Sequence, residues 1–464
     1  MKMNAKSGEH LVGLRDKVAF SVWMMLADKD EDKCSRPLDF SMLECYGGSG
    51  LGPLGFVWGG SGTIVLILGL VSATMSCSNS YKSLHIFNVL DYGALSNGIT
   101  DDSKAFLKAW TAACDNPRAE NPTVVIPNRN FLLNPVVFRG PCQAKNINFL
   151  ILGRILAPTS TTAWEGLNPS QWLAFQGITG LNIAGPGWID GRGSGWWDQS
   201  CKYHPTLEGC TKLAPTAVKL VSCKNSSLSD IHFINSSQTH VLIMLCDGIK
   251  ISDLTIQAPY NSPNTDGIHV HASQNLIINN IVIGTGDDCI SIGDYTSNVQ
   301  ISQIQCGPGH GISIGSLGRG GNSVQVENIY VSRVYLNGTT NGARIKTWQV
   351  GNGYVRGAIF EQFYCTYVKN PIIIDQNYCF IRGACQELQR GVQISNVSFS
   401  DFYGTASTDV AINLNCSRTI ACTGILLSKI QLKSVKPEHN LTSICTNAHG
   451  YSLGGVAPSS CLQS

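Results

Sequence analysis

Five short stretches limit this fold more than anything else in the chain: "SDIHFI", "SDLTIQ", "NNIVIG", "SQIQCG" and "ENIYVS". Each has a polar residue followed by Ile or Leu, at Asp230, Asp253, Asn280, Gln303 and Asn328, in steps of 23, 27, 23 and 25 residues. A repeat in the twenties, built from β-branched runs without helical spacing, predicts a parallel β-solenoid. One coil of such a fold cannot bury its apolar face alone, so stacking supplies the core. Further coils are expected at "ITGLNIAGPGWIDGRG" and "VQISNVSFSDF". An antiparallel sandwich would instead show Asn-Gly hairpin signals at every second turn. In the repeat region Asn-Gly stands near residues 337–342, inside a longer insertion, and once more at Asn352-Gly353, far short of every second turn.

The expected class is therefore all-β: a single-domain parallel β-helix over residues 79–464. Its open ends need covers. "DDSKAFLKAWTAAC", Asp101 to Cys114, has apolar residues at Ala105, Phe106, Ala109, Trp110 and Ala113, and this helical spacing predicts a helix capping the first coil. Cysteines would staple the other end. The chain has 18, with close neighbours at Cys201 and Cys210, Cys379 and Cys385, Cys416 and Cys422, and Cys445 and Cys461, and no C-x-x-C spacing. That pattern disfavours zinc ribbons and thioredoxin-type sites. Sequons at Asn225, Asn235, Asn337, Asn396, Asn415 and Asn440 join the cysteines in pointing to an oxidising, secretory environment.

Residues 1–78 read as an extension. Within it "TIVLILGLVSATMSCS", Thr63 to Ser78, has the form of a signal-peptide core and cleavage site, while Gly55 to Met75 is long enough to be a membrane anchor. The expectation is secretion, with anchoring through 55–75 as the alternative. Cleavage near residue 78 would leave 15 cysteines, so at least one thiol is expected to be free. The G-x-G-x-x-G at Gly50, Gly52 and Gly55 lacks the strand and helix of a dinucleotide site. A net charge of +2 gives no global field for nucleic acid, so any basic site has to be local.

The stretch "IGTGDDCISIG", Ile283 to Gly293, sets two aspartates inside what reads as a strand. Alternation would then turn one of Asp287 and Asp288 inward, at a cost. Aligning "DGIHV", "DCISI" and "HGISI" puts Asp266, Asp288 and His310 at one phase, 22 and 22 residues apart. One coil is one strand spacing, about 4.7–4.9 Å. The alignment predicts a ladder of these three, with Asp287 beside it, and Arg344 and Lys346 of "ARIKTW" on one face of a further strand. Carboxylates this close cannot all ionise freely. A protonated carboxyl beside charged ones is what glycoside hydrolysis uses: one acid for the leaving oxygen and one base for water. Each residue alone also has a plainer reading. Aspartates line solenoid turns or bind calcium, a histidine is often a hydrogen-bonded surface residue, and Arg344 and Lys346 could be a solvated face. Their joint phase disfavours those readings.

"NTDG" at Asn264 to Gly267, "GDDC" at Gly286 to Cys289, "GHGISIGS" at Gly309 to Ser316 and "RIK" at Arg344 to Lys346 resemble, in order and spacing, the four motifs of the polygalacturonases. "FNVLDYGALSNGITDDSKAFLKAW", Phe87 to Trp110, is similar to the N-terminal coil and capping helix of plant members. The resemblance runs from about Leu84 to Cys461. It implies a right-handed β-helix that hydrolyses α-1,4 links of polygalacturonate with inversion, without a cofactor or metal. It implies Asp287 as general acid, Asp266 and Asp288 as the pair that holds and activates water, and His310 as support for the acid. Arg344, Lys346 and Tyr378 are implied as substrate contacts, Asn264 and Gly309 as residues shaping the site, and Cys289–Cys306 as a disulfide bracing the catalytic coils. It also implies pectin as the partner and a monomer in the cell wall or apoplast. Phe380 stands where plant members often carry an acidic residue, a departure expected to matter little.

Two other functions compete. A calcium-dependent pectate lyase would use the same architecture for β-elimination, and a non-catalytic pectin-binding protein would have no rate to lose on substitution of Asp287. Rhamnogalacturonan and xylogalacturonan are the substrate alternatives among hydrolases.

Overall fold

A computed structural model describes residues 85–464 except 119, 203, 208–209, 211–212 and 380–387. The apolar run at 63–78, the anchor alternative at 55–75, the glycines at 50, 52 and 55, Phe380 and Cys385 lie outside the described residues.

Residues Asn79–Ser464 form one compact unit. Its chain winds through coils whose strands, among the described residues, pair in parallel, as the repeat predicted. One face is an 11-stranded sheet in which each strand lies beside the next along the chain. These strands are β1 Val136–Arg139, β2 Gln171–Gln176, β3 Thr216–Val221, β4 Val241–Met244, β5 Ile268–His271, β6 Ile290–Ile292, β7 Ile312–Leu317, β8 Asn341–Thr347, β9 Asn370–Asp375, β10 Val410–Asn415 and β11 Thr442–Thr446. The other face carries longer strands such as Ser323–Asn337 and Asn352–Val368.

The core is a set of vertical stacks of branched aliphatics. In the 11-stranded sheet Val241, Ile268, Ile290, Ile312, Ala343, Ile372 and Ile412 form one continuous, fully buried rung series. The steps between them are 27, 22, 22, 31, 29 and 40 residues, so register persists while coil length nearly doubles. In the later coils phenylalanines stack in the same manner, Phe360 on Phe399 and Phe363 on Phe402, with centroids 5.3 and 4.6 Å apart.

Helix α1, Ser103–Cys114, buries the predicted stripe of Ala105, Phe106, Ala109, Trp110 and Ala113. Trp110 packs against Phe138 and Phe175, and its indole N–H donates to the Arg139 carbonyl at 3.0 Å. The helix thus covers the first coil's interior. Cys114, at its last turn, bonds Cys142, a pairing the spacing did not reveal. Cys201–Cys210, Cys289–Cys306, Cys416–Cys422 and Cys445–Cys461 are the other bridges among described residues, and Cys223, Cys246 and Cys365 are free and buried.

The repeat alignment needs one correction. Asp230, Asp253, Asn280 and Gln303 do share a corner with left-handed backbone, φ 61°, 57°, 53° and 57°. Asn328 belongs to a different corner. Val299 pairs with Ile329 and Ile304 with Val334, so Asn328 stacks on Asn298, and the coil-mate of Gln303 is Arg333. Both corners demand φ > 0 before an apolar residue, which is why they look alike in sequence.

Candidate active site

The two aspartates of "GDDC" do not alternate across a strand. Asp266, Asp287, Asp288 and His310 all lie in the turns that lead into β5, β6 and β7. No carboxylate is forced into the aliphatic core. Gly286 lets the second of these turns close: a Cβ there would stand 2.0 Å from the Ser262 carbonyl oxygen. Gly309 plays a similar part, since a Cβ would lie 3.1 Å from Cys289 Sγ and 3.0 Å from the Asp287 carbonyl oxygen. The Cys289–Cys306 bridge expected from the resemblance is present beneath it.

The predicted register holds in the backbone. Ile268, Ile290 and Ile312 pair in sequence, which sets Asp266, Asp288 and His310 on successive coils. The side chains sort differently from a simple ladder. His310 Nδ1 lies 3.0 Å from Asp287 Oδ1, and Lys202 Nζ donates to Asp287 Oδ2 at 2.5 Å. Asp288 Oδ1 accepts from Arg344 Nη2 at 2.5 Å and Ser313 Oγ at 2.8 Å, and its Oδ2 accepts from Lys346 Nζ at 2.8 Å. Asp266 Oδ2 accepts from Ser291 Oγ at 2.6 Å. Arg344 and Lys346 share the outer face of β8 while Ile345 fills the core, as alternation requires.

A polar column explains how the cluster is held. His269, Ser291, Ser313 and Arg344 are paired residues on four adjacent strands. His269 Nδ1 meets Ser291 Oγ at 2.7 Å, and Arg344 Nε donates to Ser313 Oγ at 2.9 Å. Each serine therefore carries one carboxylate and is itself oriented by a nitrogen. Burial pushes the His269 ring down to about 4, leaving it neutral. His240, fully buried under the Asp266 turn and also pushed down to about 4 by burial, has Nδ1 3.1 Å from the Asp266 carbonyl oxygen. Its other nitrogen accepts from the Ser236 N–H at 3.3 Å.

These partners divide the protons unevenly. Burial and the neighbouring charges of Asp287 and Asp288 raise the Asp266 carboxyl well above the usual range. Asp287 is pulled the other way: burial opposes ionisation, but the His310 hydrogen bond and the Lys202 charge outweigh it. Asp288 is likewise lowered, with Arg344 and Lys346 overcoming burial. These opposite shifts favour a proton on Asp266 over one on Asp287 or Asp288, whereas the resemblance implied Asp287 as the acid.

Tyr378 follows β9 and frames the cluster, with Lys346 Nζ 5.6 Å from its ring centroid and Trp348 edge-on at 5.3 Å. Asn264 is exposed, in left-handed backbone (φ 57°), two residues before Asp266. Asp287, Asp288 and His310 offer ligand atoms within 4.8 Å of one another, a spacing a metal ion could use. The donor set argues otherwise, because both oxygens of Asp288 already face an ammonium or guanidinium group.

The structure places seven of the expected residues side by side: Asp266, Asp287, Asp288, His310, Arg344, Lys346 and Tyr378. The sequence reading missed Lys202, Ser291, Ser313, His269 and His240. Three of the five were legible, since His269, Ser291 and Ser313 share a phase in the strings aligned for the carboxylates.

The model of the glycosyl hydrolases family 28 matches residues 114–461. The chain belongs to this family. It is a glycoside hydrolase. A polygalacturonase of Arabidopsis thaliana named QRT2 is 43% identical over 379 residues, 80% of this chain and 83% of that protein. A polygalacturonase of Malus domestica is 41% identical over 390 residues, covering 84% and 82% of the two chains. Among solved structures, the polygalacturonase of Erwinia carotovora superposes with a TM-score of 0.63 at 24% identity, over 76% of this chain and 94% of its own. An endo-xylogalacturonan hydrolase of Aspergillus tubingensis reaches 0.64 at 22% identity, over 80% and 100%. Both share the parallel β-helix with this family 28 hydrolase.

Proposed function

We propose that this family 28 hydrolase cleaves α-1,4 links between galacturonate units of de-esterified pectin, with inversion at the anomeric carbon. The observation that carries the substrate is the local charge. Among the described residues Lys202, Arg344 and Lys346 converge on two carboxylates, Asp287 and Asp288, while burial and those two neighbours disfavour ionisation of Asp266. The surplus is cationic, and an acidic sugar is the complementary ligand. A neutral glycan would leave it unanswered.

In this reading Asp287 gives the proton to the leaving oxygen. Asp288, held immobile by Arg344, Lys346 and Ser313, positions a water together with Asp266, which must shed its proton before or during attack. His310 supports the proton balance at Asp287, while Arg344, Lys346 and Tyr378 grip a substrate carboxylate. The raised Asp266 carboxyl favours a second reading, in which Asp266 is the acid and Asp287 the base. Asp287→Asn and Asp266→Asn separate them. On polygalacturonate, loss of the acid should cost roughly 10²–10⁴ in kcat. On an aryl galacturonide whose leaving group departs without protonation, the acid variant alone should keep its rate. Asp287→Asn is expected to show that pattern; Asp266→Asn showing it instead would exchange the two roles. Ultraviolet absorbance from an unsaturated product, or loss of activity in EDTA, would overturn hydrolysis in favour of a lyase.

The same reading places the protein outside the cell, as a monomer in the plant wall. The apolar run at 63–78, the sequons and the disulfides support secretion, and N-terminal sequencing of secreted protein is its test.

A further inference from the structure

One cation at the site does not come from the stacked strands. Lys202 lies in the loop closed by the Cys201–Cys210 bridge, and it reaches Asp287 from 85 residues earlier in the chain. Its side chain keeps 36% of its exposure, against 14% for Arg344 and 9% for Lys346. Lys202 is the least enclosed of the three, and it pairs with the carboxylate that has to carry a proton in the proposed reaction. A carboxylate tied to an ammonium group is in the wrong state for that task.

We propose that Lys202 exchanges partners during the catalytic cycle. In the free enzyme it pairs with Asp287; in the complex it pairs with a carboxylate of the polyuronate chain on the leaving-group side. This inference rests on the proposed function. Lys202 stays protonated throughout, so the exchange only moves an ion pair. Asp287, released, takes one proton from solvent and becomes the acid. The groups facing Asp287 are His310 at Oδ1, Lys202 at Oδ2 and the Asp288 N–H at Oδ1. Asp266 and Asp288 repel its charge, and Arg344 and Lys346 stand behind Asp288. Lys202 contacts Asp287 from a loop, while Arg344 and Lys346 contact Asp288 from a cleft strand. A substrate carboxylate that draws it away couples binding to arming of the acid. Lys202 is therefore a substrate-binding and positioning residue.

The test compares full-length wild type with Lys202→Met and Lys202→Arg on polygalacturonate across pH, with thermal midpoints to confirm folding. Lys202→Met should raise KM about tenfold, the loss of one charge-assisted contact. Its alkaline limb of kcat/KM, which reports the free enzyme, should move to higher pH by more than the limb of kcat, which reports the complex. Lys202→Arg should restore both. An active wild type with an unchanged KM in Lys202→Met, or with both limbs moving equally, overturns the exchange alone. A wild type without activity on polygalacturonate overturns the substrate reading and the exchange together.

Discussion

Two ladders run along this solenoid, and they solve the same problem in opposite ways. At a corner of the longer-stranded face, Asn328 donates to Asn298 at 3.0 Å and Asn298 donates to Asn275 at 3.2 Å. On the outer face of the 11-stranded sheet, His269, Ser291, Ser313 and Arg344 stack at the same coil spacing beside three carboxylates. An amide both donates and accepts, so identical copies satisfy one another at every rung. A carboxylate only accepts, and copies stacked at that spacing repel. The second ladder is stable only because its rungs are not all alike: a histidine, two serines and an arginine, with Lys346 beside them, supply what repeated carboxylates cannot. Chemistry sits where the repeat stops satisfying itself.

That contrast can be broken most severely at Lys346. Lys346→Met strips one cation from a buried carboxylate, and removing one partner of such a pair costs up to about 3–5 kcal/mol. Urea unfolding should show this loss, and Asp288→Asn/Lys346→Met should recover part of it. A double variant no more stable than the single one would mean that Asp288 does not depend on its cations. Asp266 comes next, with the opposite sign. Its carboxyl is raised in the fold by burial and by Asp287 and Asp288, so as pH rises above the unfolded carboxylate value the unfolded chain ionises there more readily and the native state loses stability. Asp266→Asn should raise the thermal midpoint by a few degrees at pH 7. The gain should shrink as pH falls toward the unfolded carboxylate value, near 4, where both states are protonated. A gain independent of pH would contradict the assigned proton. The smallest effect belongs to the amide ladder: Asn298→Ala should cost about 0.5–1.5 kcal/mol and leave kcat and KM as they were. A change in activity there would show that the two faces communicate.

Periodicity made the fold legible because each coil repeats a physical demand, an apolar residue inward and a left-handed corner beside it. The same repetition caused the error at Asn328, since two corners five residues apart obey one local rule. The carboxylate phase was legible for a simpler reason: Asp266, Asp288 and His310 are separated by whole coils with no insertion between them. Lys202 was not legible. It arrives from a loop, and no spacing along the chain encodes where a loop folds back. The Cys114–Cys142 bridge was hidden in the same way, because it joins a helix to a coil outside the repeat. Ser291 and Ser313 were visible yet unread, as hydroxyls carry little meaning until the acid they orient is in place.

The uneven coils have an evolutionary reading. Between Ile290 and Ile312 the chain takes 22 residues, and between Ile372 and Ile412 it takes 40, yet both pairs of strands lie side by side. Extra length departs from the sheet and the chain returns to the same rung. Such a scaffold separates two kinds of change: what surrounds a bound glycan can be lengthened, trimmed or recharged by insertion, while the reacting groups stay at the spacing set by hydrogen bonds between strands. New preferences for chain end, branching or esterification are therefore open to this lineage without reinvention of its chemistry.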